Sequence, residues 1–63
     1  MRLTTIKLRR LEKGILQVQL AASANMPRAR LSEIENGHLA PKGDELTRIA
    51  LALAIPVEKL LER

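Results

Sequence analysis

The sequence predicts an all-α domain, five short helices around one small core. Three observations predict it. Leu46, Ile49, Ala50 and Leu53 recur at i, i+3, i+4 and i+7, the spacing of a helix that buries one face. Gly14, Gly37, Pro41, Gly43 and Pro56 cut the chain into helix-length segments rather than strands. Between Gln17 and Gly37, two short helical stripes are separated at Ser23, Ala24 and Asn25. Asn is the side-chain-bearing residue that best tolerates the left-handed backbone of an abrupt turn.

The elements follow in order. A first helix spans 4–13, with Thr4 or Thr5 as its N-cap and Gly14 closing it. Ile6 is its core residue. Leu3, Leu8 and Leu11 share no single narrow stripe with it, which leaves open which of them is exposed. The second helix, 17–24, carries Val18, Leu20 and Ala21 on its apolar side. Pro27 stands where the third helix begins, because its missing N–H is unpaired there in any case. That helix, 28–35, buries Leu31 and Ile34 and stops at Asn36-Gly37. Its outward positions are Arg28, Ala29, Arg30, Ser32 and Glu33. Residues 37–42 form a loop. The fourth helix, 43–53, has Asp44 and Glu45 in its first turn, where acids complement the helix dipole. Pro56 opens a fifth, 57–62. Leu60 and Leu61 exceed what one small core face takes, so one of them is available to a partner.

Composition narrows the function. Sixty-three residues make one domain, near the lower limit of what folds alone. With no Cys, neither a disulfide framework nor a thiolate zinc site can staple it, and with no Phe, Trp or Tyr the core is aliphatic. The apolar run Ile49 to Ile55 falls far short of the roughly twenty residues that span a bilayer. No signal peptide is visible, and a cytoplasmic location is expected. The net charge is +4, unevenly spread. Residues 1–32 hold seven basic side chains against Glu12 alone, while residues 33–63 hold four against six acids. The basic half includes the front of the third helix, an asymmetry suited to a polyanion.

Catalysis finds no support. No nucleophile, base and orienting acid stand in a recognisable arrangement. Glu33 and Glu35, two apart on a helix, point in different directions. His38, the only histidine, has no second ligand at metal spacing. No phosphate-cradling glycine pattern occurs. We expect no enzyme activity, no cofactor and no separate small-molecule domain within these residues.

Gln17-x-x-Leu20-Ala21, the turn at Asn25-Met26 and Leu31-Ser32-x-Ile34-Glu35-Asn36-Gly37 resemble the helix-turn-helix DNA-binding domains of phage repressors and Cro proteins (the XRE-like family). The likeness continues through Pro41, Leu46-x-x-Ile49-Ala50-x-Ala52-Leu53 and Ile55-Pro56-Val57-x-x-Leu60-Leu61, roughly Thr5 to Leu61 without insertion. It implies a lambda-repressor-like five-helix fold whose third helix enters the major groove, and a sequence-specific regulator of transcription acting as a homodimer on a two-fold operator. Within the DNA reading, Arg28 is suited to guanine O6 and N7, Ala29 to a thymine methyl and Glu33 to a cytosine amino group. Gln17, Pro27, Arg30, Asn36, His38 and Lys42 are placed for the phosphate backbone. The resemblance further implies an ion pair between Arg10 and Glu35.

The chain departs from the family at four points. Leu16 stands where a small polar N-cap is usual, which removes a capping oxygen worth about 1 kcal/mol. Pro27 replaces a typical Ser or Thr cap. Asn25 replaces the turn glycine, and Ala54 stands where a glycine often ends the fourth helix, so that helix either overruns or carries strain. The competing reading is a protein-interaction module, an antitoxin-like or adaptor domain, which Glu33 and the two missing caps favour.

Overall fold

The computed structural model describes residues 4–61. Within them the chain forms α1 (Thr5–Glu12), α2 (Gln17–Ser23), α3 (Arg28–Glu35), α4 (Gly43–Leu53) and α5 (Glu58–Leu61), with no strand among the described residues. Each helix matches its expected span to within one residue at the ends described. The expected contribution of residue 62 to the last helix, and the question of Leu3, lie outside the described residues.

One local device ends each of the first four helices. Gly14, Asn25, Gly37 and Ala54 all adopt positive φ, at 69°, 54°, 79° and 58°. The next residue in each case returns its N–H to a carbonyl five positions back. The bonds run from Ile15 to Arg10, Met26 to Ala21, His38 to Glu33 and Ile55 to Ala50, at 3.3, 3.0, 2.9 and 3.1 Å. This left-handed closure satisfies carbonyls that a helix end otherwise leaves unpaired, and reverses the chain within two residues. α4 therefore does not overrun at Ala54; it stops there with a strained residue.

The core is Ile6, Leu20, Ala21, Ala24, Met26, Leu31, Ile34, Ile49, Ala50, Leu53 and Leu60. α2 packs on α3 and α4, and α1 on α5. Val18 does not join this core: it is 51% exposed. At 3.6 residues per turn it points about 110° away from the centre of the stripe made by Leu20, Ala21 and Ala24. The same rotation settles α1. Leu8 and Leu11 turn away from Ile6 and are exposed, while Arg10, one turn beyond Ile6, is buried. Of the leucine pair in α5, Leu60 enters the core and Leu61 is 63% exposed. No helix among the described residues is long and apolar enough to cross a membrane.

Thr4 ties the two ends of this arrangement together. Its Oγ1 accepts from the Lys7 backbone N–H at 3.2 Å, capping α1, and donates to the Glu35 carbonyl at 2.9 Å, closing α3.

Ala54 generates a prediction about stability. An L-residue in the left-handed region costs about 1–2 kcal/mol, part of which glycine returns through the greater freedom of its unfolded chain. Ala54→Gly should raise stability by about 1 kcal/mol in urea melts. An unchanged or lowered midpoint would mean that the strain inferred from its φ is not there.

Candidate nucleic-acid interface

α3 begins at Arg28 behind Pro27, its N-cap, whose φ of −62° and ψ of 140° give an extended entry with no side-chain capping bond. Leu31 and Ile34 face the core, which turns Arg28, Ala29 and Glu33 to the exterior. Asn36, His38 and Lys42, on the loop that follows, are also exposed. Hydrogen bonds fasten three neighbouring elements to this helix. Gln17, the first residue of α2, accepts from Arg28 Nε at 3.2 Å. His38 Nδ1 lies 3.1 Å from Glu33 Oε2. Glu45, in the first turn of α4, holds both Arg30 and the Lys42 backbone. Residues separated along the chain thus share one continuous surface around α3.

Behind that surface lies the expected ion pair. Glu35 is 1% exposed and Arg10 8%. Arg10 donates Nε to Glu35 Oε2 at 2.7 Å and Nη2 to Oε1 at 3.0 Å, with Nη1 on the Ile15 carbonyl at 2.8 Å. Gln17 extends the network outward. Its Nε2 donates to Glu35 Oε1 at 3.2 Å while its Oε1 holds Arg28. Only one orientation of the amide serves a carboxylate and a guanidinium together, so the side chain is fixed. A run of hydrogen bonds therefore leads from the buried Arg10 to the exposed Arg28.

A second carboxylate, not anticipated from the sequence, fastens α3 to α4. Glu45 accepts from Arg30 Nε at Oε2 and from Arg30 Nη2 at Oε1, the latter at 2.8 Å. Its Oε1 also accepts the Lys42 backbone N–H at 2.8 Å, pairing one of the orphan donors at the start of α4. The Arg30 hydrogen bond, reinforced by that backbone N–H, lowers the Glu45 carboxyl from 4.5 to about 2. The same bond raises Arg30 above its ordinary value. Fifteen residues separate the partners, so no local spacing signals the pair. Arg48 adds a lighter contact, donating to the Asn25 carbonyl at 3.1 Å and pairing with Asp44 at 3.3 Å.

Set against the expectations, Arg28, Ala29 and Glu33 are exposed on one helix, and Gln17, Asn36, His38 and Lys42 border it. Arg28 and Lys42 form no ion pair among the described residues. Arg30 has its Nε and Nη2 on Glu45. Pro27 is exposed but carries no N–H, so it has no hydrogen bond to give a phosphate and only its ring to lay against one. Nothing replaces the absent oxygen at Leu16, which makes no side-chain capping bond; Gln19 Oε1 instead accepts the Leu16 N–H at 2.9 Å, pairing a different donor of the same helix start.

These two carboxylates make separate predictions. For the buried pair, Arg10→Met should cost about 3–5 kcal/mol. Glu35→Gln should add little once Arg10 is gone, and a cycle with coupling under about 0.5 kcal/mol would reduce the two to independent charges. For Glu45, the folded carboxyl titrates below its unfolded value. Its contribution is therefore complete above about pH 4.5 and is lost as pH falls towards about 2. Glu45→Gln should flatten the fall in melting temperature across that window, and an unaltered acid limb would assign the loss to other groups.

Residues 6–60 match the helix-turn-helix family. The chain is 38% identical over 55 residues to the ImmF control region 10 kDa protein of Bacillus phage phi105, covering 87% of this chain but only 61% of that protein's length. Its structure is similar to the N-terminal DNA binding domain of SinR from Bacillus subtilis, with a TM-score of 0.83 and 32% identity over 92% of this chain and 86% of that one. The restriction-modification controller protein C.AhdI from Aeromonas hydrophila shares the fold at a TM-score of 0.87, with 24% identity over 90% of this chain and 86% of that one. With almost the whole chain matched, and a turn of two short helices braced by the Arg10–Glu35 pair, the chain belongs to the helix-turn-helix family.

Proposed function

We propose that this chain is a sequence-specific regulator of transcription that binds double-stranded DNA and reads the major groove with α3. The observation that carries the reading is Arg28. It stands exposed at the front of α3, has no carboxylate partner among the described residues, and is oriented by Gln17. A guanidinium so held is prepared for bidentate contact with guanine O6 and N7, at little ordering cost on binding. Ala29 then meets a thymine methyl, and Glu33 accepts from a cytosine amino group once its contact with His38 opens. Lys42, Gln17, Asn36 and His38 hold the phosphates on either side and set the register. The DNA-binding domain of SinR, alike over nearly the whole chain, supports the same reading.

The regulator acts as a homodimer on a two-fold operator. Leu51 and Leu61, exposed at 75% and 63%, supply apolar surface that the core does not use. Two copies on one face of the duplex would place their half-sites about 34 Å apart.

Binding-site selection from random duplexes, followed by titration of a selected and a scrambled duplex over a salt series, tests this. Arg28→Ala should cost about 1–3 kcal/mol on the selected duplex and relax preference at one base position. Lys42→Ala should weaken both duplexes alike and reduce the salt slope by about one. Equal affinity for the two duplexes would remove the specific reader. Binding to neither at low salt would assign the surface to a protein partner instead.

A further inference from the structure

Two arginines lie within three residues of each other at the start of α3, and they are held in opposite ways. The partner of Arg28 is the neutral amide oxygen of Gln17, so its charge is unopposed. Arg30 meets a carboxylate edge to edge, through Nε and Nη2. That carboxylate is fixed in turn. The Glu45 side chain is 7% exposed against 31% for Arg30, and its Oε1 is also on the Lys42 N–H at 2.8 Å. Asp44 adds a further negative field at Arg30. A phosphate approaching Arg30 must therefore displace an anion already in place, in bidentate geometry and half out of solvent. A guanidinium that stays on its carboxylate neutralises no phosphate and so displaces no condensed counterion from the DNA, and that displacement drives the salt-dependent affinity of phosphate contacts.

We propose that Glu45 is a charge mask, an affinity-setting residue that withholds Arg30 from the DNA backbone although Arg30 sits between Arg28 and the loop leading to Lys42. The inference rests on the DNA-binding reading. It assigns the pair a consequence beyond fastening α3 to α4: the chain carries one phosphate contact fewer than its basic residues offer. Retention on unrelated DNA is correspondingly weaker, and the bases account for a larger share of the affinity.

The test measures salt slopes on a selected and a scrambled duplex for the parent, Arg30→Gln, Glu45→Gln and the double variant, each checked for folding by thermal melting. With Arg30 masked, Arg30→Gln leaves both slopes where the parent has them; a slope shallower by about one overturns the proposal. Glu45→Gln keeps an oxygen for the Lys42 N–H and removes the charge. It should steepen both slopes by about one, so that its gain in affinity shrinks roughly three- to fourfold between about 50 and 200 mM salt. No steepening overturns the mask. In the Arg30→Gln background the same change should do nothing. Steepening that persists there would mean that Glu45 merely repels DNA, and would also overturn the proposal. Should Glu45→Gln melt below the assay temperature, the slope of Arg30→Gln alone decides. A parent that binds neither duplex overturns the DNA reading together with the mask, whereas a parent that binds while the variants depart from these slopes overturns the mask alone.

Discussion

Glu35 occupies two unfavourable positions at once. It ends α3, where the helix dipole opposes a negative charge, and it is almost wholly buried, where an unpaired carboxylate is costlier still. Both penalties are offset by Arg10, which meets the carboxylate with two nitrogens and returns its third to the Ile15 carbonyl. Such a pair adds little net stability against an aliphatic substitute, but breaking it leaves a stranded charge. Its value here is positional. α1, the start of α2 and the end of α3 must all be in place for the bonds to close, so the pair fixes the angle at which α3 is presented. Thr4 fixes the same end of α3 through its last carbonyl.

Glu45 obeys the opposite electrostatics. It lies in the first turn of α4, where the dipole favours an anion, and one of its oxygens pairs a backbone N–H of that turn. Its carboxyl is held near 2, first by the Arg30 hydrogen bond and then by that backbone N–H. Glu35 thus holds the far end of α3 from behind, and Glu45 holds its near end from the side. Together they immobilise an eight-residue helix whose own length is too short to be stable alone. In a domain of 63 residues without disulfide or aromatic side chain, this fixing cannot be left to hydrophobic area.

Most of this fold could be read from the sequence because its signals are local. The stripe Leu46, Ile49, Ala50, Leu53 announces α4, and Gly14 and Gly37 announce the left-handed stops. Even the two non-glycine stops, Asn25 and Ala54, were marked by their departure from the family's glycines. Rotation within short helices was harder. By spacing alone Val18 falls with the apolar side of α2, because seven residues give too few repeats to fix the stripe's centre, and the same shortness leaves Leu8 and Leu11 undecided in α1. In the site, the Arg10–Glu35 pair was available only through the family resemblance, since twenty-five residues separate the partners. Arg30–Glu45 had no such guide, and each residue taken alone read differently, as a phosphate contact and as a helix-start acid. Pairing across a turn and a loop is a property of the assembled fold.

The formal charge of +4 is therefore a poor measure of what this surface offers a polyanion. Arg9, Arg10, Arg30 and Arg48 each face a carboxylate. The four pairs are not equivalent. Arg9–Glu12 and Arg48–Asp44 are solvated pairs of neighbouring turns, worth little and readily exchanged for a phosphate. Arg10–Glu35 is sealed in the core. Arg30–Glu45 lies between these limits, open enough to be reached yet held by a backbone N–H that an exposed pair lacks. On the DNA-binding reading, the unopposed charge at the start of α3 reduces to Arg28. A reader built this way gains less from the sequence-independent attraction of phosphates, and so more of its affinity must come from the base that Arg28 meets.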